Sequence, residues 1–543
     1  MRDQIARLGG LDPGDDPGDL DRRQPLLAAG LDSLTLTRLR SRMEAELGVG
    51  PPLAELLSGA SLSTVVDRLA ARIGPGDADR RTPPTLRGTA PAGTEYTAPL
   101  SVAQQWMWLQ HQLDPGTSAF TVPVALRLLD PVDHAALRRA LDTVVARHPI
   151  LRTTFALRDG APVQVVHPTG RAAFEEHDVR HLDAARLTRR LTRDARRPFD
   201  LDRGPLLRLD LYRHPDGEVM LLTVHHIITD FWSMTVLARE LADAYATHAD
   251  GRQPGAAAPH ATFADVAVWQ SRLLDDPVTA QPLTRYWDEQ VGDGVPGLGL
   301  PVVPAGRGVH GGSRGFALSA ASTGRLRARA AEEKVTLHVL LLAAVQTMLH
   351  GLTGRTDLAL GTSAAGRSRE EFAEVMGCCT NPVMIRDRIA GDEPFRALLL
   401  RTRARVIAAL EHQDYPMILL AKRHRAANRG RMIEALFTFN RSPSGDDLSA
   451  AAFVGVPGVR RRLGSLYVET VALEPGGSTR ALELAMAEVD GRLHGLLRYG
   501  PGALDEESAA RFVDGFAALL DRVAEDPGVL VADLTGAPVP AAG

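Results

Sequence analysis

Apolar residues recur with helical spacing through the first 75 residues of the chain. One stripe is formed by Leu36, Leu39, Met43 and Leu47, which lie three or four residues apart and so share one helix face. A second stripe follows Ser61, a residue placed to cap it, and consists of Leu62, Val65, Val66, Leu69 and Ile73. Because no strand pattern interrupts these stripes, the segment predicts a small helical bundle.

Farther along, short strand-like runs alternate with longer helical patterns. Residues 219–224 ("VMLLTV") predict a buried strand, and a helical stripe follows it with Ser233 as the predicted cap. That stripe consists of Met234, Leu237, Leu241 and Tyr245. Residues 335–349 predict a buried helix and residues 358–362 ("LALGT") a strand. The alternation indicates an α/β unit.

Between the two parts the composition shifts to proline, glycine and threonine without an apolar period. We interpret residues 76–97 as a linker and residues 1–75 as a separate domain. At 543 residues the chain exceeds one ordinary hydrophobic core, which agrees with several compact units.

Composition excludes several classes of protein. With 44% hydrophobic residues and a net charge of -4, the chain has globular composition and gives no reason to expect a nucleic acid or membrane partner. The N-terminus lacks the apolar core of a secretory signal, and no apolar run reaches the ~18 residues of a membrane span. The two cysteines, Cys378 and Cys379, are neighbours, which fits neither a disulfide framework nor a zinc signature. We expect a cytoplasmic protein without a metal.

The stretch "TVHHIITDFWSM" (223–234) carries the most concentrated chemistry. It lies in a loop between a predicted strand and a predicted helix, where side chains project into clefts. On consecutive strand positions His225 and His226 point to opposite faces, so they do not easily share one metal. One imidazole is expected to face a cleft while the other packs behind it. Spacing alone leaves Asp230 as either an acid or a residue that holds the loop through an arginine.

A serine at the start of a helix marks the small domain. In "AGLDSL" (29–34) Asp32 and Ser33 precede an apolar helix, a pattern that by itself is typical of capping. In a free-standing bundle, however, Ser33 resembles the attachment site of acyl and peptidyl carrier proteins. The resemblance implies 4′-phosphopantetheine on Ser33, added by a phosphopantetheinyl transferase. Because "GLDSL" is similar to polyketide-type carriers, the implied cargo is a polyketide or fatty acyl chain.

The large unit resembles the condensation domains of nonribosomal peptide synthetases and hybrid polyketide/nonribosomal peptide synthetases. Beside "HHIITD", several stretches match that family's motifs in order: "LSVAQQWMWL" (100–109), "RHPILRTTF" (147–155), "FDLDRGPLLRLDL" (199–211), "FADVAVW" (263–269), "LALGTSAAGR" (358–367), "MGCCTNPVMIR" (376–386) and "HQDYP" (412–416). The resemblance implies a chloramphenicol acetyltransferase-like α/β fold: two lobes, 98–270 and 271–535, forming a V-shaped pseudo-dimer with a central tunnel. Residues 536–543 are left as a tail.

The resemblance also assigns roles within the predicted catalytic motif. His226 is implied as a general base, or as the group that orients the nucleophile and stabilises the charged intermediate. His225 is implied as a packing residue. Asp230 is implied as structural, paired with Arg152 of "LRTTF".

Four further residues concern the walls of the tunnel. Trp269 and Arg367 are implied to build the tunnel or the lobe interface. The motif's final glycine is Phe231 here, and Trp232 follows it, so the tunnel should be narrowed or reshaped unless the Phe231 ring turns into the core.

Two other departures from the family pattern concern the second lobe. Residues 428–440 match the family only in part, which predicts an atypical acceptor side. Cys378 and Cys379 replace aromatic or β-branched residues. A cysteine nucleophile is one reading, but since spacing identifies no partner histidine we expect two inert small residues.

The predicted function is a carrier-condensation didomain. An upstream synthase module supplies the acyl thioester on Ser33, and an amine, or alternatively a hydroxyl, from a downstream carrier or a small molecule accepts it. Two alternatives stay open: an epimerisation domain acting on the carrier-bound residue, and a catalytically silent docking domain.

Overall fold

In the computed structural model the described residues are 26, 33–47, 50–57, 60–72, 93–253, 255, 259–300, 311–425, 432–442, 447–474 and 476–535. The first helix of the predicted bundle, most of the predicted linker and the tail 536–543 lie outside them, as does the start of the atypical stretch 428–440.

The described part of the small domain consists of three helices: α1 (Ser33–Leu47), α2 (Leu53–Leu57) and α3 (Leu62–Arg72). On α1 the predicted stripe residues Leu36, Leu39 and Met43 are at most 4% exposed and form one apolar cluster with α2 and α3. The Ser61 hydroxyl accepts a hydrogen bond from Thr64 N at 3.3 Å, which confirms the predicted cap.

The large unit begins with these elements: β1 (Tyr96–Pro99), α4 (Val102–Leu113), β2 (Thr121–Leu128), α5 (His134–Arg147), β3 (Thr153–Arg158), β4 (Ala161–Val166), β5 (Ala173–Asp178), α6 (Ala184–Ala195), β6 (Leu207–Arg213), β7 (Val219–His225), α7 (Phe231–Ala249), α8 (Phe263–Asp275) and α9 (Pro277–Val291). Strand β1 pairs with β4, so the predicted linker ends inside a strand. The predicted lobe boundary at residue 270 falls within the continuous helix α8.

The chain continues with these elements: β8 (Gly312–Ala317), α10 (Ala320–Glu332), α11 (Leu337–Thr353), β9 (Asp357–Ala364), β10 (Asn381–Arg388), α12 (Phe395–Glu411), α13 (Met417–Arg423), β11 (Ala435–Asn440), α14 (Leu448–Phe453), β12 (Arg460–Leu463), β13 (Leu466–Thr470), β14 (Leu482–Val489), β15 (Arg492–Tyr499), α15 (Glu506–Glu525) and α16 (Val531–Thr535). The helix predicted over 335–349 is α11, which starts two residues later behind its Thr336 cap. The strand predicted over 358–362 is β9, confirmed with slightly wider bounds.

Two six-stranded sheets organise the large unit, with strand orders β12-β13-β2-β7-β6-β5 and β10-β9-β11-β14-β15-β8. Strands β3, β4 and β1 form a smaller third sheet. Each large sheet contributes to its own apolar core: Val224 and Leu237 are fully buried in the first, and Leu340 and Phe437 in the second.

The chain crosses between the two large sheets. Although β12 and β13 come from residues assigned by sequence to the second lobe, β13 pairs antiparallel with β2 of the first sheet, with Val468 opposite Leu128 and Thr470 opposite Leu126. Residues 460–470, which were assigned to the second lobe by sequence, therefore extend the first sheet. Sequence pattern could not show this because a short strand carries no signal for which sheet it joins.

Helix α7 connects the first sheet to the candidate chemistry. Its cap is Asp230, whose carboxylate accepts from Ser233 N at 2.8 Å, so the prediction of Ser233 as the cap is wrong. An aspartate just before the first turn reaches the free N–H groups there, and the helix starts at Phe231 as a result.

Among the described residues no single helix has the length and apolar character to cross a membrane; α10 and α11 pass that test only as a pair bent by 103°.

Candidate active site

Strand β7 ends at His225, and a short 3-10 turn, His226–Ile228, carries the chain toward α7. His226 N donates to Phe120 O at 2.7 Å, and His225 Nδ1 accepts from Ile227 N at 3.1 Å. The two histidines therefore sit at a strand end whose backbone is fixed on both sides.

His225 packs inside the first sheet's core. It is 3% exposed, and the rings of Phe120, Phe199 and His111 lie with their centroids 6.1, 5.9 and 6.4 Å from its own. Burial, together with the positive charge that neighbouring histidines and Arg208 would carry, lowers the pKa of His225 to about 3. A neutral, packed imidazole at this position agrees with the packing role implied for it.

His226 is half-buried, and its ring meets a cysteine from a distant part of the chain. Cys378 Sγ lies 3.5 Å from His226 Nδ1. Cys378 is 7% exposed, and burial, with the nearby Asp230 carboxylate and Cys379, raises the pKa of its thiol well above the ordinary value. From sequence we expected two inert cysteines because spacing identified no partner histidine for either. In the structure Cys378 has a partner histidine, His226.

Asp230 is the buried anchor of the loop. Its carboxylate accepts from Arg367 Nη1 at 2.8 Å and Nη2 at 3.1 Å, and from Ser233 Oγ at 2.7 Å. Backbone N–H groups of Cys379 and Thr380 also donate to it, at 3.0 and 3.2 Å. Burial alone would raise the pKa of the Asp230 carboxyl, but Arg367 and these hydrogen bonds outweigh burial and the pKa is lowered. Asp230 is thus an ionised structural group.

The predicted pairing of Asp230 with Arg152 is wrong. Arg152 ends a 3-10 turn that starts at Pro149, its backbone carbonyl accepts from His167 N at 3.2 Å, and its Cβ lies where a side chain on Gly170 would be. The Nε and Nη1 of Arg152 have no hydrogen-bond partner among the residues that the structure describes. The guanidinium that holds Asp230 comes instead from the loop after β9.

Trp232 joins this loop to both the second sheet and the small domain. Its indole Nε1 donates to Ala373 O at 2.9 Å, and the side chain is buried. Arg367 Cζ lies 5.1 Å from the ring centroid, and Arg38 Cζ of α1 lies 5.0 Å from it. Two guanidinium groups thus contact one indole, within the range of cation–π attraction.

Phe231 is half-buried, and its ring packs in an apolar cluster with residues of α14. It packs edge-on against Phe453, with ring centroids 5.4 Å apart at 75°. Both rings line an apolar cavity between β2, β7, α7 and α14. Its walls are almost entirely apolar and include Val124, Met220, Met234, Leu448 and Leu466.

Trp269 lies on α8 and is 7% exposed. Its ring packs edge-on against Phe372, with centroids 5.1 Å apart at 74°. Phe372 belongs to the 3-10 turn Glu370–Phe372, between β9 and β10 of the second sheet. Trp269 and Arg367 therefore both lie where elements of the two large sheets meet.

A separate group of possible ligands lies on β5 and β6, away from this loop. Glu175, His177 and Asp210 each place one ligand atom within 4.8 Å of the others. Arg197 Nη2 donates to both oxygens of Asp210 at 3.0 Å, and its Nη1 lies 3.6 Å from Glu175. A guanidinium already provides the positive charge that these carboxylates attract.

Family models match both parts of the chain: the condensation domain over residues 94–538 and the phosphopantetheine attachment site over residues 2–69. The chain is similar to a component of the linear gramicidin synthase of Brevibacillus parabrevis, 32% identical over 510 residues that cover 92% of this chain and 6% of that protein. Chondramide synthase cmdD of Chondromyces crocatus is 32% identical over 448 residues, 80% of this chain and 11% of that protein. The chain therefore spans only a small fraction of these relatives.

Solved structures give the same fold. The X-domain from teicoplanin biosynthesis superposes with a TM-score of 0.69 at 25% identity, covering 83% of this chain and 99% of that chain. In its complex with OxyB the same X-domain gives a TM-score of 0.68 at 26% identity, covering 84% and 98%. The fold and the site define a chloramphenicol acetyltransferase-like condensation unit preceded by a carrier, as predicted. The chain belongs to the condensation-domain family of nonribosomal peptide synthetases, with a phosphopantetheine carrier domain before it.

The attachment-site match indicates a covalently bound 4′-phosphopantetheine. Ser33 is the first residue of α1, a helix of 15 residues. The dipole at the start of such a helix favours a phosphate. The start of α1 thus fits a serine-linked phosphodiester.

Three residues of the site carried no functional expectation from sequence. Ser233 Oγ contacts Asp230, Arg367 and the Gly377 backbone at once. A side chain on Gly377 would collide with Phe263, its Cβ 1.9 Å from the ring. Cys378 reaches His226 across 152 residues. Motif order placed these segments in the unit but could not show which atoms meet.

Proposed function

We propose that this chain transfers an acyl group, held through Ser33 as a thioester, to an acceptor amine and so forms an amide bond. A C–N bond forms, the C–S bond of the donor breaks, and the amine proton leaves with the thiol. The observation that carries the proposal is the packing of the carrier helix α1 beside the His226 loop.

Several contacts make up this packing. Arg38 lies over Trp232, which follows His226 by six residues, and Ser41 Oγ donates to Ser368 O at 2.8 Å. Ile407 and Leu410 of α12 pack against the apolar cluster of the carrier. Because α1 begins at Ser33, these contacts hold the proposed attachment residue on the same side of the unit as the catalytic loop.

The chain's own residues divide the chemistry. Bound at Ser33, 4′-phosphopantetheine would supply the thiol that carries the acyl group. Asp230 and Arg367 hold the loop, so His226 meets the reacting groups without a reorganisation cost. The imidazole of His226 can accept the amine proton at a free nitrogen or donate a hydrogen bond to the developing oxyanion. The position of the proton on the ring decides which role it takes.

The cavity beside Phe231 supports an apolar donor chain. Its walls offer hydrocarbon and aromatic surface, which suits a polyketide or fatty acyl group better than a polar side chain. We propose such an acyl group as the cargo, supplied by an upstream synthase module, with a phosphopantetheinyl transferase as the partner that loads Ser33. A downstream carrier or a free small molecule supplies the acceptor.

The test starts from chain loaded at Ser33 by a phosphopantetheinyl transferase with acyl-CoA donors. Amine, alcohol and carrier-bound acceptors are offered, and intact mass follows the loss of the acyl group. We expect amide formation by the wild type and a drop of ~10²-fold or more for His226→Gln, in the range of a positioned catalytic group. Unchanged turnover in His226→Gln would show that His226 has no catalytic role. If Ser33→Ala still gains the mass of the loaded phosphopantetheinyl arm, Ser33 is not the attachment residue.

A second candidate is a silent docking domain, which the similarity to the teicoplanin X-domain, solved with OxyB, favours. The same loading experiment separates it: a docking domain would leave the acyl group in place with every acceptor. Epimerisation is separated by loading an aminoacyl group in deuterated solvent, since only that reaction exchanges the α-hydrogen without forming a product.

A further inference from the structure

The loop that carries Cys378 is fixed on both sides of that residue. Before it, Gly377 N donates to Ser233 Oγ at 3.0 Å, and Gly377 O lies 2.9 Å from the same oxygen. After it, Cys379 N donates to the Asp230 carboxylate at 3.0 Å. The backbone at Cys378 is therefore held in place relative to the loop before α7, and the side chain itself is buried.

The buried side chain points at one specific atom. Cys378 Sγ lies 3.5 Å from Nδ1 of His226, within hydrogen-bond distance for sulfur. Among the residues that the structure describes, no other side chain hydrogen-bonds this imidazole. The Nε2 atom is therefore left for the reacting groups.

The direction of this hydrogen bond follows from the two partners. Burial and the Asp230 charge raise the pKa of Cys378, so its sulfur keeps its hydrogen near neutral pH. A neutral thiol is a weak donor whose sulfur is also only a weak acceptor, whereas an unprotonated imidazole nitrogen is a good acceptor. The S–H group donating to Nδ1 is the better arrangement, and it leaves the ring proton on Nε2.

We propose that Cys378 is a positioning residue that holds His226 in the tautomer with its proton on Nε2. The inference rests on the acyl transfer proposed above. In that reaction, the tautomer with its proton on Nε2 makes His226 a hydrogen-bond donor to the oxyanion that develops on the thioester carbonyl. It does not remove the amine proton as a base. The inference deepens the role of His226, which the motif alone left open between these two.

The experiment uses the full chain with ¹⁵N-labelled histidine, and the His226 signals are identified by difference from His226→Gln. Nitrogen chemical shifts report which ring atom carries the proton. We expect Nε2–H in the wild type and in Cys378→Ser, which keeps a donor, and a mixture of tautomers in Cys378→Ala. The matched control is Cys379→Ala, because that residue contacts Asp230 through its backbone and should leave the tautomer unchanged.

Turnover gives the second readout. Losing one such hydrogen bond should lower kcat about two- to tenfold in Cys378→Ala with KM unchanged, and Cys378→Ser should restore most of it. A wild-type ring protonated at Nδ1, or a Cys378→Ala variant with unchanged tautomer and kcat, would overturn the proposal. Because the tautomer is measured without turnover, its outcome is independent of whether the acyl transfer itself is observed.

Discussion

The Asp230 carboxylate and the Arg367 guanidinium form a two-point ion pair in which each side chain is 1% exposed. Asp230 caps α7 beside the first sheet, and Arg367 lies in the loop after β9 of the second sheet. The pair therefore connects the histidine loop to the opposite sheet, and the geometry of the site depends on it.

We expect Arg367→Gln to lower the free energy of unfolding by about 3–5 kcal/mol, because Asp230 is left charged and buried without its cation. The matched control is Arg369→Gln, two residues away. Its partner Glu371 has a side chain that is 44% exposed, so the expected loss is about 0–1 kcal/mol. Urea unfolding measures the stability of both variants. Equal losses of stability in the two variants would contradict the conclusion that the buried Asp230–Arg367 pair stabilises the fold.

A second prediction concerns pH. The pKa of His225 is about 3 in the folded chain, against about 6.5 when unfolded, so between these values only the unfolded state binds the proton. The contribution of His225 to stability is therefore complete above about pH 6.5 and falls with decreasing pH, by about 2 kcal/mol from pH 7 to pH 5.

The comparison variant is His225→Asn, whose side-chain oxygen can replace Nδ1 as the acceptor for Ile227 N. Urea unfolding at the two pH values should show a pH dependence about 2 kcal/mol smaller in the variant. The same pH dependence in both proteins would mean that His225 is not held neutral by burial.

Phe231→Ala should enlarge the apolar cavity toward α14. Because Phe231 is half-buried, we expect a loss of about 2 kcal/mol in stability, and about a tenfold gain in kcat/KM for donors longer by two methylene groups. Competition between acyl donors of different length, followed by product mass, measures the shift. Phe453→Ala removes the ring's partner from the same cavity and should shift preference in the same direction. If neither variant changes the preference for donor chain length, the cavity does not bind the donor acyl chain.

Arg38→Gln tests the contact between the carrier and the catalytic loop. Losing the cation–π contact with Trp232 should slow transfer from Ser33 by about three- to tenfold. Arg68→Gln is the control on the same domain, since Arg68 pairs with Glu55 and is 64% exposed. Both variants should load equally, and equal transfer rates would show that this packing does not contribute to turnover.

Local patterns predicted local structure well. The stripe of α1, the strand β7 and the helix α11 were all visible as apolar periods, because burial of one face leaves a repeat in the sequence. In α3 the pattern predicted the helix and the buried Val65, whereas Val66 of the same predicted stripe is 39% exposed. Strand alternation predicted that one of the two histidines packs while the other faces a cleft, and the family resemblance implied that His225 is the packing one.

Relationships between distant segments were not visible in the same way. The family resemblance implied Arg152 as the partner of Asp230, yet the guanidinium is supplied by Arg367. Cys378 lies beside His226 in a loop whose flanking residues, Gly377 and Cys379, hydrogen-bond to Ser233 and Asp230. A single sequence shows which side chains are available, but contacts between distant segments such as these become visible only in the folded structure.

The hairpin of β12 and β13 makes the two halves of the large unit dependent on each other for folding. If the chain were cut before β12, β2 would lose a strand neighbour and present its open edge to other chains, a known route to aggregation. The first half expressed alone should therefore be recovered in folded form only when the second half is supplied with it. Because β13 is hydrogen-bonded to β2, the second half of the chain cannot be pulled away from the first sheet at this point without breaking the strand pairing at Val468, Glu469 and Thr470.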